Sequence, residues 1–143
     1  MPQIFTTSLH PSGNLLLWQV EEELDWFKNQ LDVIPGLWVE YESMVNKDIR
    51  HRWLASRYAV QKVSQQSPLE LIKDQLGRPY LGFERKPLNL SHCEGFVGAI
   101  HSDVSVGIDV ERISSRVQKI KNYFMRDEEL NLLGEENEAL ILA

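Results

Sequence analysis

Asp109 and Glu111 stand two residues apart in the run Val106-Gly107-Ile108-Asp109-Val110-Glu111. Read as a strand, that run puts Val106, Ile108 and Val110 on one face and Gly107, Asp109 and Glu111 on the other. The two carboxylates then project side by side, roughly 6.5–7 Å apart along the strand. Beside a glycine that leaves room for an incoming group, they form a seat for a hard divalent cation. Mg²⁺ commonly takes one or two protein carboxylates together with phosphate oxygens and water, so the pattern points to phosphate chemistry. The same alternation also suits the wet face of an edge strand. Upstream, Ser91-His92 offers a hydroxyl and an imidazole, both capable of holding phosphate, although an isolated Ser-His pair is equally an ordinary surface loop. Gly77-Arg78-Pro79 is by itself a turn in which glycine supplies a positive φ and proline fixes its own. Arg52 and Arg57 carry the planar fork best suited to phosphate, or else are simply solvated, with Trp53 between them facing the core.

The elements that must position these residues read as a mixture of strands and helices. Residues 4–9 are rich in β-formers and 14–20 have the apolar centre Leu15-Leu16-Leu17-Trp18, giving two strands. Leu24, Phe27 and Leu31 then fall at helical spacing over 21–31, and Pro35-Gly36 closes that unit. Residues 43–65 form the longest helical pattern, with Ser43 as N-cap and Val45, Ile49, Trp53, Val60 and Val63 as an apolar stripe. Residues 69–72 and 79–81 flank Asp74-Gln75-Leu76-Gly77 as a hairpin. Further strands are expected at 88–90, 96–101 and 104–110, the last two joined by Ser102-Asp103. Helical spacing returns at 115, with Val117, Ile120, Tyr123 and Phe124 on one face, and another helix opens at Arg126. The order implies an α+β fold, an antiparallel-rich sheet packed with helices.

Composition narrows the functional classes. The 143 residues suit a single domain, 43% apolar and 25% charged, as in ordinary soluble proteins. The net charge of −6 argues against nucleic-acid binding, and no strand carries an aromatic stacking motif. The charge is uneven. Lys47, Arg50, Arg52, Arg57 and Lys62 face only Asp48 within 43–65, a local +4, whereas 126–143 has a local −5. A basic patch on an acidic protein fits a small anionic ligand better than a polyanion. Cys93 is the only cysteine, which excludes an intrachain disulfide and suits a reducing, cytoplasmic setting. It reads as a small packed residue rather than a nucleophile. No apolar run approaches the ~20 residues of a membrane span, and the N-terminus has no secretory pattern. The last residues, Glu138 to Ala143, stop within an apolar run, which suggests a docked last element or a truncated chain.

Taken together, the motifs point further. In order they are Arg-Trp-Leu-Ala-Ser-Arg (52–57), Gly-Arg-Pro-Tyr-Leu (77–81), Asn-Leu-Ser-His (89–92) and Val-Gly-Ile-Asp-Val-Glu (106–111). The series resembles the 4′-phosphopantetheinyl transferases, particularly their larger, surfactin-type, pseudo-dimeric class, over about residues 43–130. That family has Gly-Lys-Pro, Phe-Asn-x-Ser-His and Val-Gly-Ile-Asp-hydrophobic-Glu in the same order. The resemblance implies that Asp109 and Glu111 bind Mg²⁺, shared with the pyrophosphate of coenzyme A, the substrate. It implies that His92 contacts the coenzyme A phosphates, with Ser91 as its hydroxyl neighbour, and that Arg52 lies near the 3′-phosphate. Gly77, Arg78 and Pro79 match the turn beside the adenine nucleotide, with arginine where lysine is commoner. Cys93 stands where serine or threonine is common. The implied reaction is attack by a serine of an acyl or peptidyl carrier protein on the β-phosphate of coenzyme A, with 3′,5′-ADP leaving. Fixed cations and a metal stabilise the developing charge, and a general base takes the serine proton.

One family motif is missing. Trp-x-x-Lys-Glu-x-x-x-Lys supplies a third acidic group and a lysine, and this sequence contains no Lys-Glu dipeptide. None of Trp18, Trp26, Trp38 and Trp53 begins that pattern. The expectation is therefore a transferase-like N-terminal half (1–103) with the start of a second half (104–143), weak or inactive in transfer. The surface a full second half would cover is expected to drive self-association or a local repack. The rival readings are a coenzyme A or nucleotide-binding remnant without catalysis, and an interaction fragment in which the acidic pair is merely surface. Mg²⁺ and Mn²⁺ both favour such oxygen ligands.

Overall fold

A computed structural model describes residues 3–9 and 12–112. The chain divides into two compact units, residues 1–109 and 110–143, and every element named below belongs to the first. In chain order these are β1 (Gln3–Ser8), β2 (Asn14–Gln19), α1 (Leu24–Gln30), α2 (Pro35–Glu42), α3 (Lys47–Ser64), β3 (Leu71–Lys73), β4 (Pro79–Leu81), β5 (Lys86–Cys93) and β6 (Phe96–His101). The architecture is α+β. An open six-stranded sheet runs β1-β2-β6-β5-β4-β3 with every neighbouring pair antiparallel.

Alternation along the strands builds the core. Leu16 and Trp18 of β2, Val97 and Ala99 of β6 and Leu88 of β5 are buried on the sheet face that meets α3. From α3 come Trp53, Leu54, Tyr58, Ala59, Val60 and Val63, all buried. Phe27 of α1 and Leu69 close the ends, each fully buried. Tyr58 is the aromatic centre, with ring centroids 5.1 Å from Trp18 and Trp26 and 5.6 Å from Phe27, all edge-on. Such edge-to-face pairs add about 0.5–1.5 kcal/mol each beyond their buried area.

Four expectations change. Pro35-Gly36 does not close a unit. It opens α2, because proline's missing N–H and fixed φ suit the first helical turn. Ser43 ends α2 rather than capping α3. The cap of α3 is Asn46, whose Oδ1 accepts from the amides of Asp48 (2.8 Å) and Ile49 (3.0 Å). Val45 therefore lies in the α2–α3 link, 97% exposed, and Ile49 in the first turn is 44% exposed, so neither belongs to the apolar stripe. Residues 104–110 do not pair into the sheet. Their described part keeps the expected alternation, with Val106 and Ile108 half-buried and Gly107 and Asp109 exposed, but as unladdered chain. The strand expected at 88–90 extends to eight residues, and the strand at 96–101 lies where expected. The helical patterns from 115 onward and the acidic terminal run lie outside the described residues. Among the described residues, no helix is long and apolar enough to cross a membrane.

Candidate functional site

The basic run of α3 is mostly committed to the fold. The Arg50 guanidinium stacks on Tyr41 at 4.9 Å and donates through Nη2 to the Glu42 carbonyl at 3.2 Å. Lys62 lies over Tyr58 at 5.2 Å. Arg57 lies over Trp53 at 4.5 Å and pairs with Glu40 at 3.5 Å. Burial pushes the Arg57 guanidinium below its usual range against the opposing charge of Glu40. Glu40 also accepts from Trp53 Nε1 (3.1 Å) and Lys73 Nζ (2.8 Å). Burial alone would raise the Glu40 carboxyl. The hydrogen bonds from Lys73 and Trp53, with the charges of Arg57 and Lys73, outweigh it and hold the group below the usual carboxylate range. Arg50 and Arg57 thus tie α3 to α2, and Lys73 of β3 joins them at Glu40.

Arg52 is placed differently. It is exposed on the first half of α3 and has no carboxylate partner among the described residues. It opens onto a cleft of about 480 Å³ shared with His92 and the β5–β6 turn. Glu94 and Gly95 form that turn. Gly95 has φ +77°, where a side chain would be strained, and its carbonyl accepts from Val20 N at 2.8 Å, which ties the turn to the end of β2. The His92 ring is exposed and makes no hydrogen bond among the described residues. Two residues forty positions apart, expected to serve one anion, are brought to one opening. The cleft has further walls that sequence reasoning missed. His51 has its Nε2 2.7 Å from the Glu22 carbonyl, so that nitrogen carries the proton and donates, and its ring packs on Phe27 at 5.7 Å. Asp48 and Glu94 also line the opening. Attraction for an anion must therefore come from direct contact with Arg52 and His92 rather than from the overall field.

Ser91 and Asp109 form a second cluster. The Ser91 hydroxyl donates to Asp109 Oδ1 at 3.0 Å, and Ile108 N donates to Asn89 Oδ1 at 3.2 Å. Residues 105–109 thus run beside β5, held by its side chains. Consecutive strand residues point to opposite faces, so Ser91 and His92 do not share one. Among the described residues no backbone ladder covers the outer edge of β5 between them. Val20 N bonds Gly95 O and Ser102 N bonds Pro87 O, which fixes the phase of the ladder. In that phase Asn89, Ser91 and Cys93 direct their backbone groups at β6, whereas Leu90 and His92 direct theirs outward. β4 pairs only with Lys86 and Pro87, so the outward groups of Leu90 and His92 have no backbone partner among the described residues. This pair of edge amides could not be found in the sequence, because it depends on register.

Gly77, Arg78 and Pro79 form a turn, as expected, with Gly77 at φ +79°. Asp74 Oδ1 accepts from the amides of Leu76 (2.8 Å) and Arg78 (2.9 Å). The hydrogen bond from the Arg78 amide, followed by those from the Leu76 amide and the Tyr80 hydroxyl and by the Arg78 charge, holds the Asp74 carboxyl below its usual range. Arg78 and Pro79 line a separate recess of about 390 Å³ with Asn89 and Val106. Cys93 is half-buried. Glu111 belongs to the second unit. Among the described residues, no group of three or more His, Cys, Asp or Glu side chains is arranged to hold a metal ion. No protein-family model matches the chain, and neither does any curated protein.

Proposed function

We propose that the chain holds coenzyme A for 4′-phosphopantetheinyl transfer to a carrier-protein serine. The observation that carries this reading is the convergence of Arg52 and His92 on one cleft while Arg50, Arg57 and Lys62 are engaged elsewhere. Arg52 would take a phosphate through its fork and His92 would donate to a phosphate oxygen, with Arg78 offering a cation from its own turn. The outward amides of Leu90 and His92 bridge the two faces of β5, a path a pyrophosphate could follow between the cleft and Asp109.

The oxygen donors at Asp109 suit Mg²⁺, which needs only one or two protein carboxylates beside phosphate and water. Asp109 would hold the ion, and Ser91 would orient its carboxylate. Bound there, the ion would neutralise charge on the pyrophosphate. The second reading is a coenzyme A-binding remnant without catalysis, since the described residues place anion-facing groups together but no third carboxylate beside Asp109.

The test is calorimetric titration of coenzyme A with and without Mg²⁺, for the wild type, Arg52→Ala and Asp109→Ala. Mg²⁺-dependent heat that Asp109→Ala abolishes, with affinity falling at least about tenfold in Arg52→Ala, supports the proposal. No heat under any condition sinks it. Binding without transfer to a carrier protein selects the second reading.

A further inference from the structure

The outer edge of β1 is an open row of backbone groups in a neutral part of an acidic protein. β1 is the first strand of the sheet and pairs only with β2. The phase of that pairing is set by Leu9 N donating to Gly13 O at 2.8 Å. Leu9, Thr7 and Phe5 therefore turn their N–H and C=O groups to β2, and Thr6 and Ser8 turn theirs outward. Among the described residues the outward groups have no backbone partner, and the Ser8 carbonyl meets only the Thr7 hydroxyl, at 3.3 Å. Exposed edges of this kind are usually guarded by charge, proline or a bulge. Here the guard is partial. A register shift between Gln3 and Phe5 interrupts one end, while Phe5 to Ser8 pairs regularly. Phe5 is 51% exposed.

Charge decides what can approach. The first twenty residues contain no Asp, Glu, Lys or Arg, although the chain carries a net −6. Two β1 edges therefore meet without like-charge repulsion between their own side chains, despite the net negative charge of each copy. Antiparallel pairing of a strand with its own copy is isologous, so each copy offers the same donors and acceptors. Thr6 and Thr7 are β-branched and form favourable cross-strand pairs. We infer that a second copy of this chain pairs through the Phe5–Ser8 edge of β1, joining two six-stranded sheets into one. The contact is short, so the dimer is weak and concentration-dependent.

Sedimentation of the full chain from micromolar to millimolar concentration tests this, together with amide exchange and two variants. Thr6→Pro removes an outward N–H that the monomer does not use, and Thr6→Lys sets like charges facing each other across the pair. The expected result is a reversible dimer, weakened at least about tenfold by either variant. The Thr6 and Ser8 amides should gain protection as concentration rises. Thermal melts show whether Thr6→Pro still folds, and if it does not, Thr6→Lys and the amide protection decide. A dimer that survives the folded variants places the contact elsewhere and overturns the inference. So does a chain that stays monomeric throughout.

Discussion

Removing the Glu40 carboxylate should cost the fold measurably, because Trp53, Arg57 and Lys73 all depend on it. In Glu40→Ala, Trp53 Nε1 loses its acceptor at 3.1 Å and Arg57 loses its carboxylate at 3.5 Å. The Arg57 side chain is only 13% exposed, and its Nε already has no partner among the described residues, so water cannot easily replace what is lost. Breaking a fully buried pair costs about 3–5 kcal/mol, but Glu40 is 30% exposed and the Arg57 contact is long, so the lower half of the range for one charged hydrogen bond applies, about 1.5–2 kcal/mol. Lys73, 47% exposed, adds only about 0.5 kcal/mol. The total is about 2 kcal/mol at neutral pH. For a domain of this size it lowers the melting temperature by roughly 6 °C. The sign of the pH dependence follows from the lowered carboxyl. A depressed folded-state pKa contributes stability above the unfolded value and loses it as pH falls through the folded value. Urea unfolding of the wild type and Glu40→Gln should therefore differ at pH 7 and converge in acid, below the usual glutamate range. If Glu40→Ala unfolds within 0.5 kcal/mol of wild type at pH 7, roughly the noise of a neutral surface substitution, the Glu40 contacts are not a source of stability. If the gap to Glu40→Gln persists in acid, the carboxylate charge is not what matters.

Three other outcomes follow from the same structure. Gly13→Ala would put a Cβ 2.7 Å from the His101 carbonyl at φ +148°, and should destabilise by about 2 kcal/mol or more in denaturant titration, because the obstacle is backbone. Arg52→Ala should leave stability within about 0.5 kcal/mol while weakening coenzyme A, whereas Arg57→Ala should lower stability by about 1–2 kcal/mol through lost stacking on Trp53 and the loss of one of Glu40's three partners. The Leu76 and Arg78 amides should exchange faster as pH falls through the lowered Asp74 value, after correction for intrinsic rates, and Asp74→Asn should show no such step.

The α+β class and most strands were legible because short, dense apolar runs mark them. Asn14–Gln19 has the continuous centre Leu15 to Trp18, and Phe96–His101 is buried from Val97 through Ile100. The helix boundaries were harder. Ser43 and Asn46 are both good caps, and only the chain reversal after α2 decides between them. The run at 106–111 has a strand's alternation without a strand's ladder, since β5 holds its neighbour through Asn89 and Ser91 side chains. Periodicity reports which side is wet, not whether backbones pair. At the site, the residue types were legible but their commitments were not. The signal for two of them was present, however. Trp53 and Arg57, and Tyr58 and Lys62, are each four apart on one helix, a spacing that lays a cation over a ring. The meeting of Arg52 with His92 needed the sheet register and could not be read from spacing.

The strand order also has a consequence for synthesis. β2 sits between β1 and β6, and its register partner for Asn14 is His101, 87 residues later in the chain. At ribosomal speeds of about 5–20 residues per second, that interval lasts on the order of 4–17 s. During it the β1–β2 hairpin has emerged with the β2 edge that β6 will cover unpaired, and α3 can shelter only the face that carries Leu16 and Trp18. A nascent chain of this kind is a natural client for a chaperone that holds short apolar strands. Slowing translation between β2 and β6 should lengthen that dependence, and moving the β5–β6 hairpin ahead of β1 by circular permutation should remove it.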